Sequence, residues 1–225
     1  MSAVRPERVT LRAVRDDDLA LVVEWLGADS RGAAMTSDIR ENATVEKVRE
    51  AIVAGLQLRL VVSRDSGPVG IVTWRGRGHP RSYEIAVLIG DADLWSTGLG
   101  AEAVLRAVDY LFMTLDAERV GVLTGSFNPY TSPALVRGGF TLEGVLRHFY
   151  YVDGEYYDAL AWSMLRSEHA HVLRAAQGTP AAYRPLIAVE DKARAAHVVE
   201  RVLSETGFVA DRRARAGSAE RRDVS

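Results

Sequence analysis

One stretch of the sequence, DADLWSTGLGAEAVLRAVDYLF at residues 91–112, constrains the fold more than any other. Its second half repeats apolar residues at helical spacing, which predicts a long amphipathic helix from about Gly98 to Met113. Gly98 and Gly100 stand at the start of that helix although glycine is a poor helix former. Glycines at a helix N-terminus let an anion approach the free backbone N–H groups closely. The stretch therefore predicts a phosphate-binding loop.

The same two glycines also match part of a dinucleotide-binding fingerprint. That fingerprint requires a tight turn directly between a strand and a helix, and an acidic residue about twenty positions further on. Here the polar segment 90–97 separates the preceding strand from Gly98, and Asp116 and Glu118 come before the next strand rather than at its end. The context therefore argues against a dinucleotide site.

Apolar spacing in the rest of the chain predicts alternating strands and helices. Turn residues punctuate two hairpins, one turning at residues 65–68 and the other at Asp153–Gly154. The strand patterns lie at 8–14, 58–76, 83–90, 119–127 and 144–165, and the helical patterns at 15–26, 45–55, 98–113, 132–138 and 189–207. Residues 27–43 read as a turn-rich connection, after which Thr44 is an imperfect cap for the next helix and Gly55 would end that helix. This order predicts an α+β fold in which helices flank a mixed, mostly antiparallel sheet of six to seven strands.

The composition excludes several kinds of chemistry. The 225-residue chain is 48% hydrophobic, enough for a proper core, and its formal net charge of −2 gives no reason to expect nucleic acid or an anionic membrane as partner. The absence of cysteine excludes disulfides, thiolate nucleophiles and cysteine-ligated metals. His169 and His171 lack a third ligand, so no metal is expected. No apolar run has the length of a signal peptide core or a membrane span, which favours a cytoplasmic protein.

The glycine loop and a second block of residues resemble one known family. The segment LWSTGLGAEA is similar to the acyl-CoA pyrophosphate loop of the GNAT superfamily of N-acetyltransferases, written Gln/Arg-x-x-Gly-x-Gly/Ala. The block 128–168 resembles the branch that contains the ribosomal-protein N-terminal acetyltransferases. Its matching residues are Asn128, Gly139, Phe140, Glu143, Gly144, Arg147, Asp158 and Glu168. The likeness covers about residues 8–168 and implies a GNAT fold that uses acetyl-CoA and no metal.

The resemblance also implies which residues hold acetyl-CoA. The pyrophosphate is expected on the loop and the start of the helix, at Trp95, Ser96, Thr97, Gly98, Leu99 and Gly100. The thioester is expected along the fourth strand, at Ala86, Val87 and Leu88, where a bulge within 86–89 would present a backbone N–H to the carbonyl oxygen. Asn128 and Thr131 are expected cofactor contacts as well, although Asn-Pro is also an ordinary turn initiator. For Trp95 a packing role on the loop is favoured over a cofactor contact, and Thr97 stands where a lysine is common.

Two residues are candidates for proton transfer. Glu84 precedes the expected bulge and could accept a proton from the attacking amine, directly or through water. An ion pair with Arg75 or Arg77 at the strand edge is the equally weighted alternative. Many relatives carry a tyrosine that protonates the departing thiolate at the position that Leu135 occupies here. Tyr130 is the nearest tyrosine in the sequence to that position and could protonate the thiolate instead. Tyr130 could also simply anchor its loop, in which case the thiolate would take its proton from solvent.

The acceptor is the least specified part of the prediction. Acceptors within the similar branch include protein N-termini, polyamines, amino sugars, amino acids and antibiotics, so we expect a primary amine on a small molecule or a protein N-terminus. Asp29, Asp38 and Glu41 favour a cationic substrate, and Arg31 and Arg40 oppose it. Two alternatives stay open: an O-acyltransferase or an enzyme for longer acyl groups, and a non-catalytic acyl-CoA sensor, which the missing tyrosine suggests.

The C-terminal part of the chain lies outside the resemblance. We expect the acetyltransferase domain to span residues 1–168, a helical extension to span 169–209, and residues 210–225 to form a disordered tail, because they are charged and nearly devoid of large apolar side chains. The helix of the extension could pack on the domain, cover the acceptor cleft or build a homodimer.

Overall fold

Strands and helices follow one another largely in the predicted order. The computed structural model describes residues 8–27, 30–36, 43–175 and 186–205. The strands are β1 (Val9–Ala13), β2 (Gln57–Ser63), β3 (Gly67–Arg77), β4 (His79–Ile89), β5 (Arg119–Gly125), β6 (Thr141–Val152) and β7 (Glu155–Leu165). The helices are α1 (Leu19–Trp25), α2 (Arg31–Thr36), α3 (Val45–Val53), α4 (Leu99–Met113), α5 (Thr131–Arg137), α6 (Arg166–Ala175) and α7 (Val189–Glu205). Two 3₁₀ turns, Asp16–Asp18 and Ala92–Thr97, precede α1 and α4.

The strands form one sheet in the order β1-β2-β3-β4-β5-β7-β6. Every neighbouring pair is antiparallel except β4 and β5, which are parallel. Their ladder joins Ser82–Glu84 to Arg119–Gly121, and beyond it the two strands diverge. Within the described residues the sheet therefore has seven strands, which confirms the predicted mixed, mostly antiparallel α+β architecture.

Two apolar clusters hold helices against opposite faces of this sheet. Neighbouring residues of one strand, such as Leu60 and Val61 of β2, belong to different clusters because strand side chains alternate between faces. The larger cluster packs α4 against the sheet, and the smaller cluster packs α1 and α3 against the other face. On α4 the buried residues include Ala103, Ala107 and Leu111, at the spacing that places one helical stripe on the sheet. The start of α4 is thereby fixed beside β4.

Several local predictions are confirmed by their geometry. The Thr44 hydroxyl oxygen accepts a hydrogen bond from the Lys47 N–H at 3.2 Å and so caps α3. Gly55, with φ of 102°, follows the end of that helix. Asp153 and Gly154 both have positive φ, 51° and 88°, as a two-residue hairpin turn between β6 and β7 requires.

Two helices were not predicted. α2 lies in a region that looked like a turn-rich connection, and α6 continues across residue 168, the expected end of the domain. His169 of α6 is buried: its Nε2 lies 2.7 Å from Oδ1 of Asp109, and its ring stacks on Phe112 with centroids 4.6 Å apart. Contacts with a distant helix thus stabilise a segment whose own sequence looks weakly structured.

The chain divides into two compact units, residues 1–183 and 184–225. In the second unit the described residues form α7, whose 17 residues agree with the helix predicted at 189–207. The expected tail, 210–225, lies outside the described residues, as do Asp29, Asp38, Arg40 and Glu41. None of the helices in the described ranges is long and apolar enough to cross a membrane.

Candidate functional site

A cavity of about 450 Å³ lies where α4 begins. Its walls come from the 3₁₀ turn before α4, the first two turns of α4, the end of β4 and the segment that leads from β5 through α5, with α2 at one edge. Seven of the predicted cofactor residues line it, namely Val87, Trp95, Ser96, Gly98, Gly100, Asn128 and Thr131. Residues as far as 44 positions apart in sequence, Val87 and Thr131, are thus brought to one site.

The divergence of β4 and β5 opens this site. The last paired residues of the parallel ladder are Glu84 and Gly121, and the following part of β5 pairs with β7 alone among the described residues. A ladder that ends inside a sheet leaves backbone N–H and C=O groups available to a ligand that enters between the strands. Val87 and Ile89, which follow the fork on β4, both line the cavity.

The N-terminus of α4 forms the polar end of the cavity. Gly98 is the N-cap residue and has φ of 83°, in the left-handed region that favours glycine. Gly100 and Ala101 of the first turn line the cavity, and the first N–H groups of a helix have no acceptor within the helix. These donors and the positive end of the helix dipole can together bind an anion.

Hydrogen bonds hold the loop before α4 in place. Trp95 Nε1 donates to the Ile89 carbonyl at 2.9 Å, and Thr97 Oγ1 donates to the Leu94 carbonyl at 2.6 Å. The guanidinium of Arg8, at the start of β1, donates to the Thr97 carbonyl at 2.9 Å. These contacts agree with a packing role for Trp95, and the same side chain also forms part of the cavity wall.

Glu102 connects the first turn of α4 to β1, which is a structural role. Its carboxylate accepts hydrogen bonds from the N–H groups of Arg8 and Val9 at 2.9 and 3.2 Å, and from Arg106 at 3.3 Å. Burial raises the pKa of Glu102, but these hydrogen bonds outweigh it, so the pKa lies below its usual value. An ionised Glu102 thus fixes the orientation of the helix that carries the anion-binding end.

Asn128 shapes the loop between β5 and α5. Its Oδ1 accepts hydrogen bonds from the N–H groups of Tyr130 and Thr131 at 2.9 and 3.2 Å, and its Nδ2 donates to the Met35 carbonyl at 3.2 Å. The oxygen and the nitrogen of the Asn128 side-chain amide therefore both have hydrogen-bond partners within the protein, as expected if Asn128 initiates a turn. The side chain also lines the cavity, so a role in cofactor binding stays a prediction.

The two candidates for proton transfer lie in different surroundings. Tyr130 lines the cavity, is 44% exposed, and packs edge-on against Trp95 with ring centroids 5.9 Å apart. Glu84 is hydrogen-bonded to Arg77 and lies 3.6 Å from Arg75, as the ion-pair alternative describes. Glu84 does not line the cavity, although its backbone stands at the fork that opens it.

Parts of the predicted cofactor site differ from the structure. The expected bulge within 86–89 is absent: β4 pairs with β3 in continuous register from Tyr83 to Ile89, and the shift between these strands lies at Gly76 and Arg77. The strand instead parts from β5, which opens the sheet without an inserted residue. Four predicted contacts, Ala86, Leu88, Thr97 and Leu99, do not line the cavity. Leu88 and Leu99 are buried in the two apolar clusters because strand alternation and the helix stripe turn them away.

Other cavity residues were not predicted. Ala101, Val104 and Leu105 form part of the helical stripe that continues from Gly100, and this spacing could have identified them. Arg137, at the end of α5, also lines the cavity. The contact from Arg8 to the loop spans 89 residues, and no local pattern signals it. No group of three or more His, Asp or Glu side chains that could hold a metal ion occurs in the part of the chain that the structure describes.

Residues 143–158, matched in the resemblance, have structural contacts. Glu143 accepts hydrogen bonds from the Arg119 guanidinium and from Ser163, and these lower its pKa. The carboxylate of Asp158 accepts a hydrogen bond from the His148 N–H at 2.9 Å, where β6 bulges against β7. These contacts are structural, and the ion-pair partner of Glu143 lies on β5 while its hydroxyl partner lies on β7.

Solved structures share this fold. A spermidine N-acetyltransferase from Vibrio cholerae, solved in complex with CoA and spermine, superimposes with a TM-score of 0.63 at 20% identity, covering 72% of this chain and 98% of that one. A chimera of that enzyme with hSSAT also gives a TM-score of 0.63 at 20% identity, covering 73% and 99%. At this identity the likeness concerns the fold alone.

Sequence comparison gives the family. YoaA of Bacillus subtilis (strain 168), described as an uncharacterized N-acetyltransferase, is 32% identical over 72 residues, which are 32% of this chain and 41% of that relative. The chain thus matches less than half the length of this relative. A model of the acetyltransferase (GNAT) domain matches residues 8–141, more than half of the chain. The chain therefore belongs to the GNAT acetyltransferase domain family.

Proposed function

We propose that this chain transfers an acetyl group from acetyl-CoA to a primary amine by direct attack of the amine on the thioester. The observation that carries the proposal is the cavity that joins the positive end of α4 to the fork between β4 and β5. One end of this cavity suits a pyrophosphate, and the other offers unpaired strand backbone beside apolar side chains. A long ligand with an anionic centre and an amide-containing arm fits both ends.

The residues of the cavity fit coenzyme A in chemistry as well as in placement. The N–H groups at the start of α4, near Gly98 and Gly100, would hold the pyrophosphate. Backbone groups of β4 near Val87 would hydrogen-bond the pantetheine arm. When bound, acetyl-CoA supplies an acyl group already activated as a thioester. The protein then contributes mainly by positioning that group and excluding water.

Proton transfer is assigned to the two predicted candidates. Glu84 would accept the proton of the amine through water, because its backbone stands at the fork while its side chain lies outside the cavity wall. Tyr130 would donate to the leaving thiolate from the cavity wall. Leu135, at the position where many relatives carry a tyrosine, is 3% exposed and offers no proton. Solvent is the alternative proton source for the thiolate.

For the acceptor, we propose a primary amine of a small molecule or of a protein N-terminus. The Vibrio cholerae enzyme named above is a spermidine N-acetyltransferase, which supports a polyamine. The resemblance of residues 128–168 to the ribosomal-protein branch supports a protein N-terminus. A screen of polyamines, amino acids, amino sugars and N-terminal peptides for release of free CoA thiol distinguishes these acceptors.

Ala101 offers a sharp test of the cofactor site, since it lines the cavity in the first turn of α4. An aspartate there favours the helix dipole, so Ala101→Asp should fold as well as the wild type. The same carboxylate would face the pyrophosphate, and we expect acetyl-CoA affinity to fall about tenfold or more from charge repulsion at a few ångströms. Calorimetric titration of acetyl-CoA into both proteins measures the change.

The neutral variant Ala101→Asn is the matched control, because it has nearly the same size without the charge. It should lose clearly less affinity than the aspartate variant. Equal losses would assign the effect to side-chain bulk, and no loss in a folded aspartate variant would contradict the anion site. Acetyl-CoA binding without thiol release for any amine would instead favour the acyl-CoA sensor.

A further inference from the structure

The cavity has a charged wall that the proposed reaction does not use. Among the described residues that line it, Arg137 is the one with a formally charged side chain, and no aspartate or glutamate lines the cavity there. The field inside therefore combines the guanidinium of Arg137 with the positive end of α4. Two separate positive elements with no opposing carboxylate favour a ligand that carries anionic groups in two places.

We propose that Arg137 binds the 3′-phosphate on the ribose of coenzyme A while the first turn of α4 binds the pyrophosphate. The inference rests on the proposed function, because it assigns a second contact to the same ligand. A phosphomonoester carries more charge than either phosphate of a pyrophosphate linkage, and a guanidinium can donate two parallel hydrogen bonds to it. The site would thereby distinguish coenzyme A from its 3′-dephospho form.

The loop before α4 has no cationic side chain at the positions where the family's loop pattern can carry one. A cation that binds a phosphate of the ligand must therefore come from another element. Thr97 stands where a lysine is common, and Trp95 stands at the Gln/Arg position of the loop pattern. Arg8 does contact this loop, but its guanidinium is also 3.2 Å from the Glu102 carboxylate, which offsets its charge. Arg137 has no ion-pair partner among the described residues. Its charge is therefore available to a ligand.

The backbone that follows Arg137 is held by hydrogen bonds, while the Arg137 side chain is exposed. The N–H groups of residues 138–140 donate to the carbonyls of residues 134–136 at 2.9 to 3.1 Å and so close the end of α5. Leu135 and Phe140, on either side of this turn, are buried. Binding therefore needs to order only the rotamers of one side chain, which keeps the entropic cost small.

The test compares two ligands and four proteins by calorimetry. Acetyl-CoA and 3′-dephospho-acetyl-CoA are titrated into the full chain as wild type, Arg137→Gln, Arg137→Lys and Arg64→Gln. Arg64 is an exposed arginine in the turn between β2 and β3 whose residue does not line the cavity, and it serves as the matched control. Thermal melts show that each variant is folded.

We expect the wild type and the Arg64 variant to bind acetyl-CoA about tenfold more tightly than the dephospho form, the size of one charge-assisted contact at a partly exposed site. Arg137→Gln should bind the two ligands about equally, at the wild-type affinity for the dephospho form. Arg137→Lys should keep part of the selectivity, since it retains the charge but not the paired donors.

Two results would overturn the inference while leaving the proposed function intact. One is a wild type that binds both ligands equally. The other is an Arg137→Gln variant that loses affinity for both ligands in the same ratio, which would mean that Arg137 only stabilises the end of α5. If the folded wild type bound neither ligand, the proposed function itself would be wrong, and this inference with it.

Discussion

At the scale of single residues, the position of Glu84 suggests a catalytic role, whereas its ion pairs suggest a structural one. Its backbone forms the last pair of the β4–β5 ladder, with Gly121, so it marks the place where the strands part. Its carboxylate is meanwhile engaged by Arg77 and lies near Arg75. The position suits a base next to a bound thioester, and the ion pairs suit a residue that merely joins two strands. A kinetic experiment separates the two roles.

We expect Glu84→Gln to lower kcat about a hundredfold, as for loss of a general base, and to leave the affinity for acetyl-CoA unchanged. Steady-state release of CoA thiol with a saturating amine gives kcat, and calorimetry gives the affinity. Glu118→Gln is the control, because Glu118 also pairs with arginines, Arg81 and Arg166, but at a site away from the cavity. A Glu84 variant that melts at a lower temperature yet keeps its kcat would identify a purely structural carboxylate.

A second residue-scale prediction concerns pH. The Arg12 guanidinium donates to the Asp18 carboxylate at 2.7 and 2.8 Å, and the Arg15 N–H donates at 2.7 Å. These hydrogen bonds lower the pKa of Asp18 to about 2 from its ordinary value of 3.8. Because the pKa in the folded protein is the lower one, ionised Asp18 stabilises the fold above the ordinary value. That contribution is lost as the pH falls from 3.8 towards 2.

Asp18→Asn should therefore lower the free energy of unfolding by about 1–2 kcal/mol at neutral pH, allowing for the partial exposure of Arg12. The difference from the wild type should shrink as the pH approaches about 2. Urea unfolding across this range measures both quantities. Asp17→Asn, at the exposed neighbouring carboxylate, should change little at any pH. A loss for the Asp18 variant that stays constant with pH would refute the assignment.

At the scale of elements, the sequence predicted the helix ends and turns that are stabilised by contacts between residues close in sequence. The helix after Gly98, the cap at Thr44 and the turn at Asp153–Gly154 each depend on residues close in sequence, and all three appear as predicted. The unpredicted α6 depends on His169, which reaches Asp109 across 60 residues. Nothing in the sequence near His169 carries that information.

The same distinction separates the parts of the candidate site that could be predicted from those that could not. The loop and the start of α4 could be located from Gly98 and Gly100, because glycine has a specific backbone role there. The separation of β4 from β5 could not be predicted in this way. It depends on where the pairing of the two strands ends, and the sequence of either strand alone does not indicate that point. The expected bulge was wrong for this reason, and Arg137 was missed because its neighbours across the cavity come from other elements.

At the scale of the whole molecule, the family match and the cavity both lie in the first compact unit. A protein consisting of residues 1–185 should therefore fold and bind acetyl-CoA with the affinity of the full chain. Calorimetric titration and thermal melts of the two proteins test this. A truncated protein that folds but binds about tenfold more weakly would make the C-terminal part a component of the cofactor site.

A further consequence follows from the short parallel ladder between β4 and β5. Strands β1 to β4 come from one continuous stretch of chain, and β5 to β7 come from a later one. On the ribosome, the first group can pair fully while the second is still being made. Until β5 arrives, β4 is an open edge that another polypeptide could join. The narrow junction that admits a ligand in the finished protein is thus also the place where a nascent chain is most exposed to wrong partners.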